Sequence, residues 1–381
     1  MTWVADIEAS RLHLEETRKK RTFTERTDAI IDDFREQFLL LNRHASEDLV
    51  RILATYHKAV VGELTAAGVF ANPAVTDAEI AQIIASATTD LARAFQGYMQ
   101  TSLVDSAELT MLRERELLKA VASDLPRKVQ TALFNAVPVH YVGKVVAENL
   151  MQTTLGSGLE LSQAVWTNAQ LANSQVSGIV RTGLLRGDDV VDIAKDLEHV
   201  LVPQEDTLRE WNRANAPRRL RNRISRSRRA GVYSARNTTS YTHLRVARTE
   251  IFHAQKAAHQ INVMGLQRLV PFPVVNGMQW NLSNSHPFED VCDVWSSTDD
   301  YELGAGVYPP DQLPPGHPQD LCYTTSVLMP PGQFAALMEL RVDAVGSPAL
   351  LGSLSLERGV AAFREVVEAN GETIFGLGGG S

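Results

Sequence analysis

Cysteine is nearly missing from this sequence: two residues in 381 build no disulfide framework. Folding in a reducing cytoplasm is the expectation that follows. Long apolar runs are missing as well, and none approaches the ~18 residues of a membrane span. The segment from Met1 to Glu8 carries acidic residues where a secretory signal needs an apolar stretch, so neither a leader nor a membrane partner is expected. No phosphate-binding loop, Gly-x-Gly-x-x-Gly, Gly-x-Ser-x-Gly or His-Glu-x-x-His occurs, and no nucleophile has an identifiable base. The sequence is therefore not read as that of an enzyme.

One further absence is local. From Trp211 to Thr249 there are 39 residues without Asp, Glu or Lys, and eleven of them are Arg. The formal net charge of -8 is thus an average of +11 in this stretch and -19 in the remainder. An acidic protein would ordinarily be a poor partner for nucleic acid, but a bipolar one need not be.

What is present is mostly helical pattern. From Glu25 to Ala67 the apolar positions Ile30, Phe34, Phe38, Leu41, Ala45, Leu49, Ile52, Tyr56 and Val60 recur at steps of three and four. That stripe predicts one long helix in a bundle, stopping near Gly68. A second helix is expected from about Thr76, where Thr76 and Glu79 form a capping box, to Ser123. Helical pattern resumes at Val142–Met151 and Glu160–Leu185. Gly187 then ends one helix, and Asp188 or Asp189 caps the next, which Pro203 closes. A helix from Ser240 to Met264, ended by Gly265, should turn Ala247, Ile251, Ala254, Ala258 and Ile261 inward. From Arg268 to Met329 the pattern changes to short β-like runs and Pro-rich loops, with Asn276-Gly277 as a hairpin signal. The fold class expected is mainly α with a smaller α+β C-terminal domain: a long N-terminal helix in a helical bundle, and a short β-hairpin among irregular Pro-rich loops near 269–329. The expected division is a helical region over 1–160, a domain over 171–330 that includes the Arg-rich insertion 211–249, and C-terminal helices with a flexible tail over 331–381.

The densest chemistry lies in two loop clusters, Trp280 to Asp293 and Tyr308 to Cys322. His286, Cys292, His317 and Cys322 together are the ligand types of a tetrahedral zinc site, and zinc can staple a loop-rich region. The bland reading of the same residues is that the two His, each before Pro, are turn residues, and that the two Cys are small buried side chains.

These clusters resemble the phage Mu F-like minor head proteins, the head-morphogenesis family of tailed phages. The resemblance is carried by Arg248-Thr-Glu250 on a helix, by Trp280, by Ser283-x-Ser-His286-Pro-x-x-Asp290-x-Cys292-Asp293, by Gly306-Val-Tyr-Pro309, and by His317-Pro-x-x-x-Cys322. It covers roughly Leu171 to Val327. It implies a compact head-morphogenesis domain and a minor structural component of the virion, located in the head or at the portal vertex after assembly in the host cytoplasm. The portal protein, the major capsid protein and packaged double-stranded DNA are the implied partners, and head assembly, DNA packaging or DNA delivery the implied roles. The common form of the second string ends His-Pro-x-Cys-x-Cys; here the first of those Cys positions is Asp320. The implied ligand set is therefore His286, Cys292, His317 and Cys322, with Asp290, Asp293 or Asp320 as substitutes.

Two readings compete for Arg248 and Glu250. One is a structural ion pair pinning the helix to the hairpin. The other is the Arg…Glu pair of an ADP-ribosyltransferase-like enzyme carried in the phage head, with Ser296-Ser297-Thr298 as its Ser-Thr-Ser strand. A metal-dependent enzyme is the further alternative in that class. For the Arg-rich segment, Arg213, Arg218, Arg219, Arg221, Arg223, Arg226, Arg228, Arg229 and Arg236 suit bidentate contact with phosphates or carboxylates. They either neutralise DNA phosphates without reading sequence or dock on an acidic protein surface.

Overall fold

A computed structural model of the chain describes residues 22–70, 75–152, 160–202, 239–270, 272–283, 290–316, 322–345 and 347–375. It is mainly helical. Helix α1 (Phe23–Ala66) and helix α2 (Asp77–Val121) are the longest, followed by a 3-10 turn at Ala122–Asp124. Helices α3 (Arg127–Asn135), α4 (Val139–Gln152), α5 (Leu161–Arg186), α6 (Val190–Leu201) and α7 (Thr239–Leu269) follow. Strand β1 (Val275–Asn281), helix α8 (Val291–Ser297), strand β2 (Val307–Tyr308) and strand β3 (Tyr323–Leu328) form the small mixed region. Helices α9 (Pro331–Val345), α10 (Ser347–Ser353) and α11 (Leu356–Phe375) close the chain.

The helix starts and stops are those that local chemistry dictates. Glu79 Oε2 accepts from the Thr76 backbone N–H at 2.8 Å, and the Glu79 N–H donates to Thr76 Oγ1 at 3.3 Å, completing the box that opens α2. Thr22 and Glu25 repeat that box before α1. Gly68 and Gly187 take φ of 71° and 76° past the ends of α1 and α5, where a Cβ would be strained. Asp189 caps α6 by accepting from the backbone N–H groups of Val191 and Asp192. The buried stripe of α1 differs from the expected one at a single point: Leu53, fully enclosed, takes the place of half-buried Ile52, and Leu64 extends the stripe by one turn.

The chain divides into two compact units, each assembled from separate stretches of sequence. One unit comprises Met1–Leu41, Leu103–Thr153 and Ile251–Ser381; the other comprises Asn42–Ser102 and Thr154–Glu250. The reason is the length of α1, α2 and α7, each of which contributes one part to each unit. In the second unit, His57 Nε2 lies 3.0 Å from the Ala194 carbonyl and ties α1 to α6, and the Phe95 and His243 rings meet at 4.7 Å between α2 and α7.

In the first unit the sheet has the order β2-β1-β3, antiparallel throughout. The expected turn at Asn276-Gly277 is not there. Both residues lie inside β1, with an irregularity of register between Val275 and Gly277. A Cβ on Gly277 would come within 2.6 Å of Val307 Cγ1, so the glycine admits the close approach of β2 and the bulge absorbs Asn276. Gly265 is likewise no helix end. Helix α7 runs on to Leu269, and Gly265 makes room for the ring of Phe363 from α11, 2.6 Å from where its Cβ would stand. The five inward residues expected of α7 are all buried.

Gly359 in α11 sits against the backbone of Ala136, and an added Cβ would overlap the Ala136 carbonyl. Backbone cannot swing away as a side chain end can. Gly359→Ala is therefore expected to destabilise the protein by about 1–3 kcal/mol, despite the higher helix propensity of Ala. A urea titration checks this, and a midpoint equal to or above the parent's would contradict it.

Candidate functional site

The residues that carry the sequence motifs gather around the sheet. Trp280 in β1 is fully buried, and its ring meets Trp295 of α8 edge-on at 5.0 Å and Phe252 of α7 at 6.1 Å. The backbone N–H of Trp280 donates to Gly306 O at 2.8 Å. Tyr308 Oη donates to the Trp295 carbonyl at 2.7 Å. Gly306 N donates to Thr298 O at 2.7 Å, so the turn after α8 folds back onto that helix. β3 brings Tyr323 opposite Asn281, directly after Cys322. Strings up to some forty positions apart thus form one packed module.

Cys292 and Cys322 are both buried, and no disulfide joins them. Asp290 and Asp293, two of the possible substitute ligands, form a capping box at the start of α8. The Asp290 carboxylate accepts from Cys292 N at 2.7 Å, and the Asp293 carboxylate accepts from Asp290 N at 2.8 Å. Among the described residues no group of three or more His, Cys, Asp or Glu is placed to hold a metal. His286, His317 and Asp320 lie outside the described residues. Of the four residues of the expected zinc set, only Cys292 and Cys322 are among the described residues.

Arg213, Arg218, Arg219, Arg221, Arg223, Arg226, Arg228, Arg229 and Arg236 also lie outside the described residues. Arg248 and Glu250 are buried in α7. Ser296 and Ser297 end α8, and Thr298 is its C-cap, so the Ser-Ser-Thr string is not on the strand that an ADP-ribosyltransferase reading requires.

The chemistry that sequence reading missed is a buried polar network at the junction of α2, α7 and β3. Glu114 Oε1 accepts from Arg113 Nε at 2.7 Å, with Arg113 Nη2 at 2.6 Å. Arg113 Nη1 donates to the Thr324 carbonyl at 2.8 Å, and its guanidinium lies 4.2 Å over the Phe34 ring. Ser326 Oγ donates to Glu114 Oε2 at 2.7 Å. His259 Nε2 lies 2.8 Å from Ser326 Oγ, and its Nδ1 lies 2.7 Å from Thr324 Oγ1. Thr324 and Ser326 alternate along β3, so both hydroxyls face the same side.

The protons can be assigned from these distances. Ser326 has one hydroxyl proton and gives it to Glu114, so it accepts from His259 Nε2–H. Nδ1 is then the acceptor, and Thr324 Oγ1–H donates to it. This needs a neutral imidazole. Burial pushes the His259 ring down to about 3; Glu114 pulls it the other way, and Arg113 adds to the depression. Burial alone would raise the Glu114 carboxyl. With the imidazole neutral, the Arg113 cation and the hydrogen bonds from Ser326 and Arg113 work against burial and hold it below the usual carboxylate value.

All five residues are 0–7% exposed, so a substrate has no access to the His259 ring. The network holds β3 on α2 and α7; it is a lock rather than a reaction centre. A sequence signal for it did exist. Thr110, Glu114, Leu117 and Val121 step along α2 like a core stripe, and Glu114 occupies a core position in it.

Compared with family models, with curated proteins and with solved structures, the chain matches none. Among the described residues no helix is long and apolar enough to cross a membrane.

Proposed function

We propose that this chain is a minor head protein of a tailed bacteriophage, seated at the portal vertex and contributing to head assembly, DNA packaging or DNA delivery. The observation that carries the reading is the module around β1. Trp280, Asp290, Cys292, Asp293, Gly306, Tyr308 and Cys322 belong to the strings that resemble the Mu F-like head proteins, and they belong to one packed unit rather than to scattered loops. Co-occurrence of such strings by chance would not require them to share a core. The mainly helical body fits a structural role. The portal protein and the major capsid protein are the proposed partners, and the Arg-rich segment is the proposed contact to packaged DNA or to an acidic protein surface.

The test is quantitative mass spectrometry of purified particles, with cross-linking. The expected result is a few copies per particle, cross-linked to the portal protein. Zero copies, or a number like that of the major shell protein, would contradict the assignment.

A further inference from the structure

Helix α5 buries only one of its faces, the one that carries Leu161, Val165, Val176 and Val180. The outer face of such a helix ordinarily carries charge. Here the twenty residues from Leu161 to Val180 include no Asp, Glu, Lys, Arg or His. Large apolar side chains stand out from the helix instead: Trp166 is 44% exposed, Leu171 52% and Leu185 90%. Depletion of charge around aromatic and apolar groups marks the centre of a protein–protein contact rather than a wet surface.

The order of the exposed residues is informative. Leu171, Ser174, Gly178, Thr182 and Leu185 are all exposed, and they lie seven and four positions before the glycine and four and seven after it. At 3.6 residues per turn all five stand within about 40° of one line along the helix. A leucine ends this face on each side, a hydroxyl follows inward, and glycine is at the centre, so it reads alike in both directions. A groove of about 430 Å³ runs beside it, lined by Ser174, Gly178, Ile179 and Thr182 of α5 and by Asp196 and Val200 of α6. Glycine inside a helix costs stability. Yet among the described residues nothing outside the helix lies within 4 Å of where a Cβ on Gly178 would stand.

We propose that this face of α5 is where two copies of the chain meet, their helices crossing antiparallel about a twofold axis at Gly178. Leu171 of each copy then lies against Leu185 of the other, and glycine facing glycine lets the two backbones approach. A twofold contact requires a surface that is its own complement, and a face that reads alike in both directions supplies one. The same copy cannot be the occupant, because α5 occurs once in the chain and cannot pack on itself. Charge selects the antiparallel arrangement. It sets Arg186 of one copy level with Gln170 of the other, whereas parallel helices would bring Arg181 and Arg186 level with their own counterparts. The contact is confined to one helix face on each side, less than the about 800 Å² per partner of a stable complex, so a weak, concentration-dependent dimer is expected. The inference stands independently of the phage assignment.

The experiment is sedimentation velocity on the full-length, nuclease-treated protein, from about 1 μM to about 1 mM. A monomer–dimer equilibrium is expected. Gly178→Arg should abolish it while the thermal midpoint stays equal or rises, because the site is open and Arg favours a helix more than Gly does. Leu171→Lys with Leu185→Lys should weaken dimerisation by on the order of tenfold or more, and circular dichroism checks that the fold is kept. The decisive arm is Leu171→Lys with Leu185→Glu in one chain. Antiparallel pairing sets each Lys against a Glu, so this variant should dimerise at about 50 mM salt and lose the dimer at about 500 mM. A parent protein that stays monomeric over the whole range overturns the proposal. So does association untouched by Gly178→Arg, or a Lys–Glu variant that dimerises no better than the Lys–Lys one.

Discussion

Arg113→Ala is expected to cost about 3–5 kcal/mol of folding stability, the range for removing one member of a buried ion pair. The guanidinium is the cation paired with Glu114 among the described residues, and both side chains are essentially inaccessible. Truncation removes the Nε donor and the paired charge from Glu114 Oε1, strips the Thr324 carbonyl of its 2.8 Å donor, and takes the cation from the face of Phe34. The carboxylate then keeps Ser326 as its donor but loses its charge partner, and a buried charge without one is the expensive outcome. Arg113→Ala combined with Glu114→Gln should recover part of the loss, because no net charge is then left in the core. Chemical denaturation of both variants and the parent checks this. A single variant within about 1 kcal/mol of the parent would mean that water reaches Glu114, and that the network is not the lock described.

The second large effect is in pH. His259 is neutral when folded, with its affinity for protons pushed down to about 3 by burial, while the unfolded ring takes up a proton near its ordinary value of 6.5. Its contribution is therefore complete above about pH 6.5 and is lost progressively as pH falls from there toward 3. At about 1.4 kcal/mol per unit, two units of acidification to pH 4.5 remove about 3 kcal/mol through this one ring. Glu114, held below its ordinary value, adds to the loss only in more acid solution, below about pH 4.5. His259→Gln, which cannot take up a proton, should be less stable at neutral pH yet show a flatter dependence between pH 6.5 and 4.5. Equal slopes for variant and parent would contradict the assignment of a neutral buried imidazole.

Those two predictions rest on residues that sequence reading did not single out, and the reason is physical. Local signals are legible because their causes are local. The Thr76–Glu79 box, Gly187 and Asp189 act within four residues, and each is found where its chemistry puts it. The α1 stripe is legible to within one position, since Ile52 and Leu53 are both large and apolar and only tertiary packing chooses between them. Asn276-Gly277 and Gly265 misled for one shared reason. Glycine marks a left-handed turn, a helix end or a close approach with the same letter. Here Val307 and Phe363, thirty and ninety-eight positions away, decide for close approach. The buried network joins positions 113, 259 and 324, and no window along the chain contains them. Of the candidate site, the grouping of Trp280, Cys292, Tyr308 and Cys322 was legible as motif strings, whereas the commitment of Asp290 and Asp293 to capping α8 was not.

The proposed place in a phage head is tested most directly by a particle reconstruction computed without imposed shell symmetry. Helices α1 and α2, about 65 Å long each, are recognisable at modest detail. The expected result is density for this long helix pair at the portal vertex alone, on the inner side of the shell or at the neck. Density repeated over the whole shell, or particles with none at the vertex, would contradict it.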